Sequence, residues 1–367
     1  MLRRGVAGAN PARSLGSLFR GGADGGQSQR TRGAFGSAFD NAAAFAKKHW
    51  FTLSLPCMVY ATQQSPDTMR KGGTLGYERY KDAFVAGIFL ASGLSIPLTS
   101  MRATLRMWNV HLFTQGMCFG AAPAFFYFTA PRLQSDLGLP PAISTGWILL
   151  GTLPTSIGVS IAVTRVAGGS IATTLLNSAA GNLMGVFLTP MLCEYASGTS
   201  SSVPVSDAIV KLLLLVAMPS LVGMAVRHKV AVAARYDRVW SLMQPLCLLT
   251  VLAHVFSNAF HEYRDGIPGF DATSILKLFA ACIAANALLT TIALLASAPM
   301  GFPAAERVAA SFCAAQKTTA MGLPMMTTMY GNDPQLGLLT LPLLCYHPVQ
   351  AAVGGVYAAW LRTLLRL

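Results

Sequence analysis

From residue 47 onward the chain runs through ten stretches of mainly apolar residues, near 47–64, 82–100, 108–130, 141–164, 171–195, 207–227, 239–260, 272–298, 305–328 and 335–361. Each is close to the roughly 20 apolar residues that an α-helix needs to cross a bilayer core. The first, HWFTLSLPCMVYATQQ, is short and polar at its end. Of the 367 residues 53% are hydrophobic and 11% charged, whereas soluble domains carry about a quarter charged residues. An all-α polytopic membrane protein of ten transmembrane helices follows as the expected fold.

The formal charge of +13 does not point to nucleic acid, because no basic face interleaved with polar groups is present. It serves better as a topology signal, since short cytoplasmic loops collect Lys and Arg. With the N-terminus inside, the inner side holds 18 of the 27 basic residues and the outer side 8, Lys317 being the remaining one. Both termini are therefore expected in the cytoplasm. Residues 1–45 are rich in Arg, Gly, Ser and Ala, with Asp24 and Asp40 the only acids. Such a segment is expected to be a disordered tail, and its style also fits an organelle transit peptide. Plasma membrane, secretory-pathway membrane and organelle membrane all stay open. The seven cysteines (Cys57, Cys118, Cys193, Cys247, Cys282, Cys313, Cys345) are scattered through apolar runs without a C-x-x-C and read as small packing residues. His254, His261 and Glu262 lie at the end of an apolar run and read as an interfacial loop, so neither a metal nor a cofactor is expected.

Ten helices divide into two sets of five, residues 46–200 and 201–367, and an odd number per set inverts the second half relative to the first. The fourth stretch contains GTLPTSIG at 151–158 and the ninth QKTTAMGLP at 316–324. A shift of 164 residues lays Thr155-Ser156-Ile157-Gly158 over Thr319-Ala320-Met321-Gly322, with Pro154 and Pro324 beside them. Helix breakers at membrane depth are tolerated only where the freed backbone faces protein or a wet cavity, so matched interruptions point to a midplane site. The alternative is close packing of helices through small residues. In the fifth stretch Thr174, Asn177, Ser178, Gly181, Asn182 and Gly185 recur at spacings of three and four, one stripe of a helix. Those side chains offer oxygens to an ion or a hydroxylated solute, or hydrogen bonds to a neighbouring helix. The same two readings apply to Gln115, eight residues inside the third stretch.

Lys317 stands nine residues beyond Val308, about 13 Å along a helix axis and near the middle of a core about 30 Å thick. An intramembrane charge marks a functional site by default, and its partner should be found. No carboxylate lies at matching depth: Glu306 is at the helix entrance, and Glu194 and Asp333 are at helix ends. Either desolvation keeps the amine neutral or its counterion is not part of the chain.

GIFLASGLSIPL, HLFTQ, LPTSIGVSIAVTRVAGGS, GNLMGVFLTP and CAAQKTTAMGLP, in this order, together resemble the SBF-like branch of the bile acid:sodium symporter superfamily, which contains the member-7-type proteins. The resemblance runs from about residue 46 to the C-terminus. It implies a ten-helix inverted repeat with helices four and nine broken and crossing, helices 1, 2, 6 and 7 as a panel, and 3–5 with 8–10 as a core domain. It also implies sodium held by hydroxyls and amides of helices four and five and by a Glu and a Gln in E-x-x-x-Q-N on helix nine. Laying F-E-x-x-x-Q-N on Phe312 puts Cys313 at the Glu, Lys317 at the Gln and Thr318 at the Asn. Where the branch commonly reads P-T-T-I-S-S-N/S, this chain has Pro154-Thr155-Ser156-Ile157-Gly158-Val159-Ser160. Two small polar ligands and the carboxylate are gone.

The residues expected to bind substrate or ion are Gln115, Thr155, Ser156, Ser160, Thr174, Ser178, Asn182, Cys313, Gln316, Lys317 and Thr318. The expected function is alternating-access transport of a small organic anion, with the Lys317 ammonium in the space of a sodium ion and half-helix N-termini adding positive potential. The coupling ion, sodium or proton, stays open, as does oligomeric state; the partners are the bilayer and the solute, not nucleic acid. The resemblance also admits a regulatory membrane protein that acts on ion (calcium) homeostasis or the secretory pathway without large flux. An intramembrane enzyme is not expected, because no nucleophile with a base, and no metal set, shares a depth.

Overall fold

The computed structural model describes residues 50–96, 104–197, 203–230, 235–264, 271–331 and 333–365. The described residues form fourteen α-helices: α1 Trp50–Gln64, α2 Lys81–Leu94, α3 Trp108–Gly116, α4 Ala122–Ser135, α5 Pro141–Thr152, α6 Ile157–Val166, α7 Ile171–Ser197, α8 Val205–Leu212, α9 Met218–Lys229, α10 Asp237–Glu262, α11 Ala272–Ala296, α12 Ala304–Ala315, α13 Thr319–Met329 and α14 Leu336–Leu365. Helix occupies all ten apolar stretches. Among the described residues five helical segments are long and apolar enough to cross a membrane: Ile171–Ser197, Val205–Lys229, Asp237–Glu262, Ala272–Met300 and Leu336–Leu365. Large apolar side chains on their outer faces, such as Leu214, Leu276, Leu295 and Val356, are exposed, which suits a lipid surround and not water. The tail at 1–45 lies outside the described residues.

Two wide turns and two breaks interrupt the helices, each for a local reason. A π-turn, Met117–Ala121, joins α3 to α4, closed by the Ala122 N–H on Met117 O. In that register the next donor, to Cys118 O, would be Pro123, which has no N–H, so the Cys118 carbonyl is released from its own helix. The second π-turn, Leu213–Ala217, likewise precedes a proline, Pro219, at the start of α9. The fourth stretch is two helices, α5 and α6, because the chain turns extended at Leu153 and stays so to Ser156. The ninth is α12 and α13, separated by extended Gln316 and Thr318 around Lys317.

α2 lies against α9 and α10, while α5 packs on α4 and α14, and α11 on α12 and α14. Glycine sets the closest approaches: a Cβ on Gly93 of α2 would meet Ser220 O of α9 at 2.2 Å, and one on Gly146 of α5 would meet Leu339 O of α14 at 2.1 Å. Such small-residue contacts hold helices together where lipid removes the hydrophobic drive between them.

A crossing of two broken helices as the candidate functional site

The two breaks meet. Thr155 and Lys317 form the single antiparallel bridge of the described residues, with Ser156 N–H donating to Gln316 O at 3.1 Å and Thr318 N–H to Pro154 O at 3.0 Å. The bridge pairs Thr155 with Lys317, two residues before the Thr319 over which the 164-residue shift lays it. Backbone groups freed by the breaks are thus satisfied across the pair, as a dry interior requires.

Lys317 is fully buried. Its Nζ donates to Leu153 O at 2.9 Å, Gly151 O at 3.0 Å and Cys118 O at 3.1 Å, with Cys118 Sγ at 3.8 Å. Three carbonyl acceptors match the three N–H donors of an ammonium. Gly151 and Leu153 lie at the C-terminal end of α5, where the helix dipole is negative and unpaired carbonyls favour a cation. Cys118 O is the carbonyl that Pro123 leaves free. The partner sought as a carboxylate is therefore three main-chain oxygens from two segments.

The reciprocal contact is neutral. Thr155 Oγ1 donates to Cys313 O in the last turn of α12, and Ala315 O accepts from Tyr346 OH at 2.9 Å. Asn182 of α7 donates to Thr155 O at 3.0 Å and to Ser178 O at 2.7 Å. Gln350 of α14 accepts from Lys317 N–H at 2.7 Å and donates to Lys317 O at 2.9 Å. His347 Nδ1 stands 2.8 Å from Thr319 Oγ1.

Of the expected residues, Thr155, Ser156, Asn182, Cys313, Lys317 and Thr318 converge on this crossing through the contacts above. Ser178 Oγ lies 3.9 Å from Cys313 Sγ. Thr174 turns its hydroxyl away, to Thr164 Oγ1 at 3.1 Å and Ser170 O at 3.0 Å, while its carbonyl lies 3.8 Å from Cys313 Sγ. Gln115 donates to Asn177 O at 2.9 Å, an interhelical bond of α3 to α7. Gln316 and Ser160 are fully buried, and the side-chain polar atoms of both are without a hydrogen-bond partner. Sequence reasoning missed Cys118, Asn286, Tyr346, His347 and Gln350; Asn286 Nδ2 donates to Tyr346 OH at 3.1 Å. The signal for α14 was present in LPLLCYHPVQ, three polar side chains within five residues of an apolar run.

The sequence pattern of the SBF-like CPA transporter family matches residues 49–363. The chain belongs to that family. It is 28% identical over 320 residues to sodium/bile acid cotransporter 7 of Mus musculus, covering 85% of this chain and 92% of the relative. With sodium/bile acid cotransporter 7 of Danio rerio it is 28% identical over 328 residues, 87% and 95% of the two chains. An uncharacterized protein of Pseudomonas aeruginosa is 26% identical over 278 residues, 74% and 80%. The chain is a multi-pass integral membrane protein of the bile acid:sodium symporter superfamily, and the family is one of transporters.

For a transporter of the SBF-like family, the surroundings of the crossing matter as much as its centre. At the Lys81 end of α2 a cavity of about 500 Å³ opens between α2, α8, α10, α13 and the start of α14, lined among others by Lys81, Lys211, His254, Asn258, Pro324 and Thr328. At the other end of α2 the apolar side chains of Ile96 and Met224 pack on Ile157, Ile161, Leu175 and Ala179 of α6 and α7. His254 and His261 serve the cavity rim: His254 Nδ1 is 2.6 Å from Met69 O, and His261 Nδ1 is 3.1 Å from Asp67. Among the described residues no group of three His, Cys, Asp or Glu side chains is placed to hold a metal ion.

Proposed function

We propose that the chain moves a small organic anion across its membrane by alternating access, and that it does so without a mobile sodium ion at the crossing. The seat of Lys317 carries this reading: a tethered ammonium on three carbonyls at the end of a half-helix fills the kind of place a transported cation would take. The register on Phe312, which replaces Glu and Gln by Cys313 and Lys317, supports it independently. The relatives' name pairs sodium with bile acid; the solute proposed here keeps the anionic class and drops the sodium.

The proposal includes ten spanning segments in two inverted repeats, residues 46–200 and 201–367, with both termini cytoplasmic. The reciprocal contacts support the repeat, since Thr155 and Lys317 each reach the end of the other's leading half-helix. Each also has its carbonyl held by a side-chain amide of the following long helix. The helices α6 and α13 start at the crossing without a side-chain cap, so their first N–H groups add positive potential for an anion. The 500 Å³ cavity at one end and the apolar seal at the other are what one state of an alternating-access cycle requires. Uptake of an anion panel by purified protein in liposomes tests the reading. Equal rates with and without an inward sodium gradient are expected, and strong sodium stimulation contradicts it. No transported anion, with no anion-induced thermal stabilisation that Lys317→Ala abolishes, favours a regulatory role.

A further inference from the structure

We propose that Gln350 is the positioning residue that keeps the Lys317 ammonium on its three carbonyls, by gripping the Lys317 main chain at both its N–H and its C=O. The extended run Gln316–Thr318 has two edges. One pairs with Pro154 and Ser156. The other presents the N–H and C=O of Lys317 itself, an edge buried inside the protein that needs a partner. The Gln350 amide supplies both halves, accepting at 2.7 Å and donating at 2.9 Å, as a neighbouring strand would. Tyr346 and His347, one turn earlier on α14, contact Ala315 O and Thr319 Oγ1, so α14 holds the break at its start, centre and end. Contacts of 2.9–3.1 Å at Nζ do not survive a main-chain shift of about 1 Å, because hydrogen bonds weaken beyond roughly 3.2 Å. Asn182, the corresponding amide on α7, holds Thr155 by its carbonyl alone and donates otherwise to Ser178 O.

This assignment concerns where Lys317 sits and is independent of which solute crosses. The full chain in lipid nanodiscs is treated with an amine-acylating reagent, and mass spectrometry follows modification of Lys317 against exposed Lys71. In the unaltered protein Lys317 is expected to react far more slowly than Lys71. Gln350→Met, similar in volume but with neither bond, is expected to speed Lys317 modification by about tenfold or more, the factor that one lost buried hydrogen bond can produce, without changing Lys71. Thr340→Ala removes an equally buried polar group of α14 that does not touch the break, and is expected to leave Lys317 protected. Unchanged Lys317 protection in Gln350→Met overturns the assignment. So does equal exposure in Thr340→Ala, which marks a general loosening of α14. If Gln350→Met does not fold, Gln350→Asn keeps the amide but, one methylene shorter, cannot reach both the N–H and the C=O of Lys317. An intermediate rate is then expected, and an unaltered rate overturns the assignment.

Discussion

The break between α5 and α6 and the break between α12 and α13 share a plan. Each places a central residue, Thr155 or Lys317, in extended backbone; each sends that side chain to the carbonyl end of the other's leading half-helix; and each has its central carbonyl held by an amide from the next long helix. They differ in charge. At the end of α5, Gly151 O, Leu153 O and the Cys118 O released by Pro123 form three acceptors with one occupant, an ammonium. At the end of α12, Cys313 O has the Thr155 hydroxyl and Ala315 O has the Tyr346 hydroxyl, so no comparable triad is left for a cation. One plan thus yields a cationic seat and a neutral one, and the difference comes from a single lysine and a proline 194 residues before it in sequence.

The largest effect is expected from Lys317→Met, which leaves three buried carbonyls without donors; at about 1–3 kcal/mol per unsatisfied group, partly relieved by relaxation, a loss of about 3–5 kcal/mol should appear in thermal or denaturant unfolding. Next comes the exchange of the two central residues, Thr155→Lys with Lys317→Thr. The composition is conserved, but the ammonium then finds Cys313 O alone freed, Ala315 O being held by Tyr346, so the pair should recover less than about 1 kcal/mol of the Lys317→Met loss, a buried charge being stabilised only with good geometry. Full recovery would mean that the two ends are equivalent. Thr155→Val keeps shape and removes the donor to Cys313 O, and about 1–2 kcal/mol is expected on the same assay. The smallest change, below about 1 kcal/mol, is expected for Pro123→Ala: the new N–H competes with Lys317 for Cys118 O while closing an intrahelical bond.

Much of this difference was hidden in the sequence for identifiable reasons. Segment positions were legible, because apolar length is a one-dimensional property: helix occupies each of the ten apolar stretches, and the two interruptions fall where Pro154 and the Gln316–Thr318 run stand. That Lys317 lies inside the protein was legible too, from its distance to Val308. Its partner was not. A carboxylate is a side chain visible in sequence, whereas the acceptors are main-chain oxygens whose release depends on a π-turn and on where α5 stops. Gln350 was missed because its role lies in the edge of an extended segment that no periodicity reveals, while Asn182 was noticed for the stripe it shares with Ser178 and Thr174. Thr174, on the same stripe, sends its hydroxyl to Thr164 and Ser170 and meets the crossing only through its carbonyl, 3.8 Å from Cys313 Sγ.

The central claim is that a tethered ammonium takes the place of a mobile cation, and the most direct test needs no knowledge of the solute. The unfolding temperature of the purified chain is measured in sodium chloride and in choline chloride at equal ionic strength, since an ion that binds the folded state raises it by mass action. The account predicts no difference for the unaltered protein. A sodium-specific rise in that protein would show a mobile cation beside Lys317 and contradict the account.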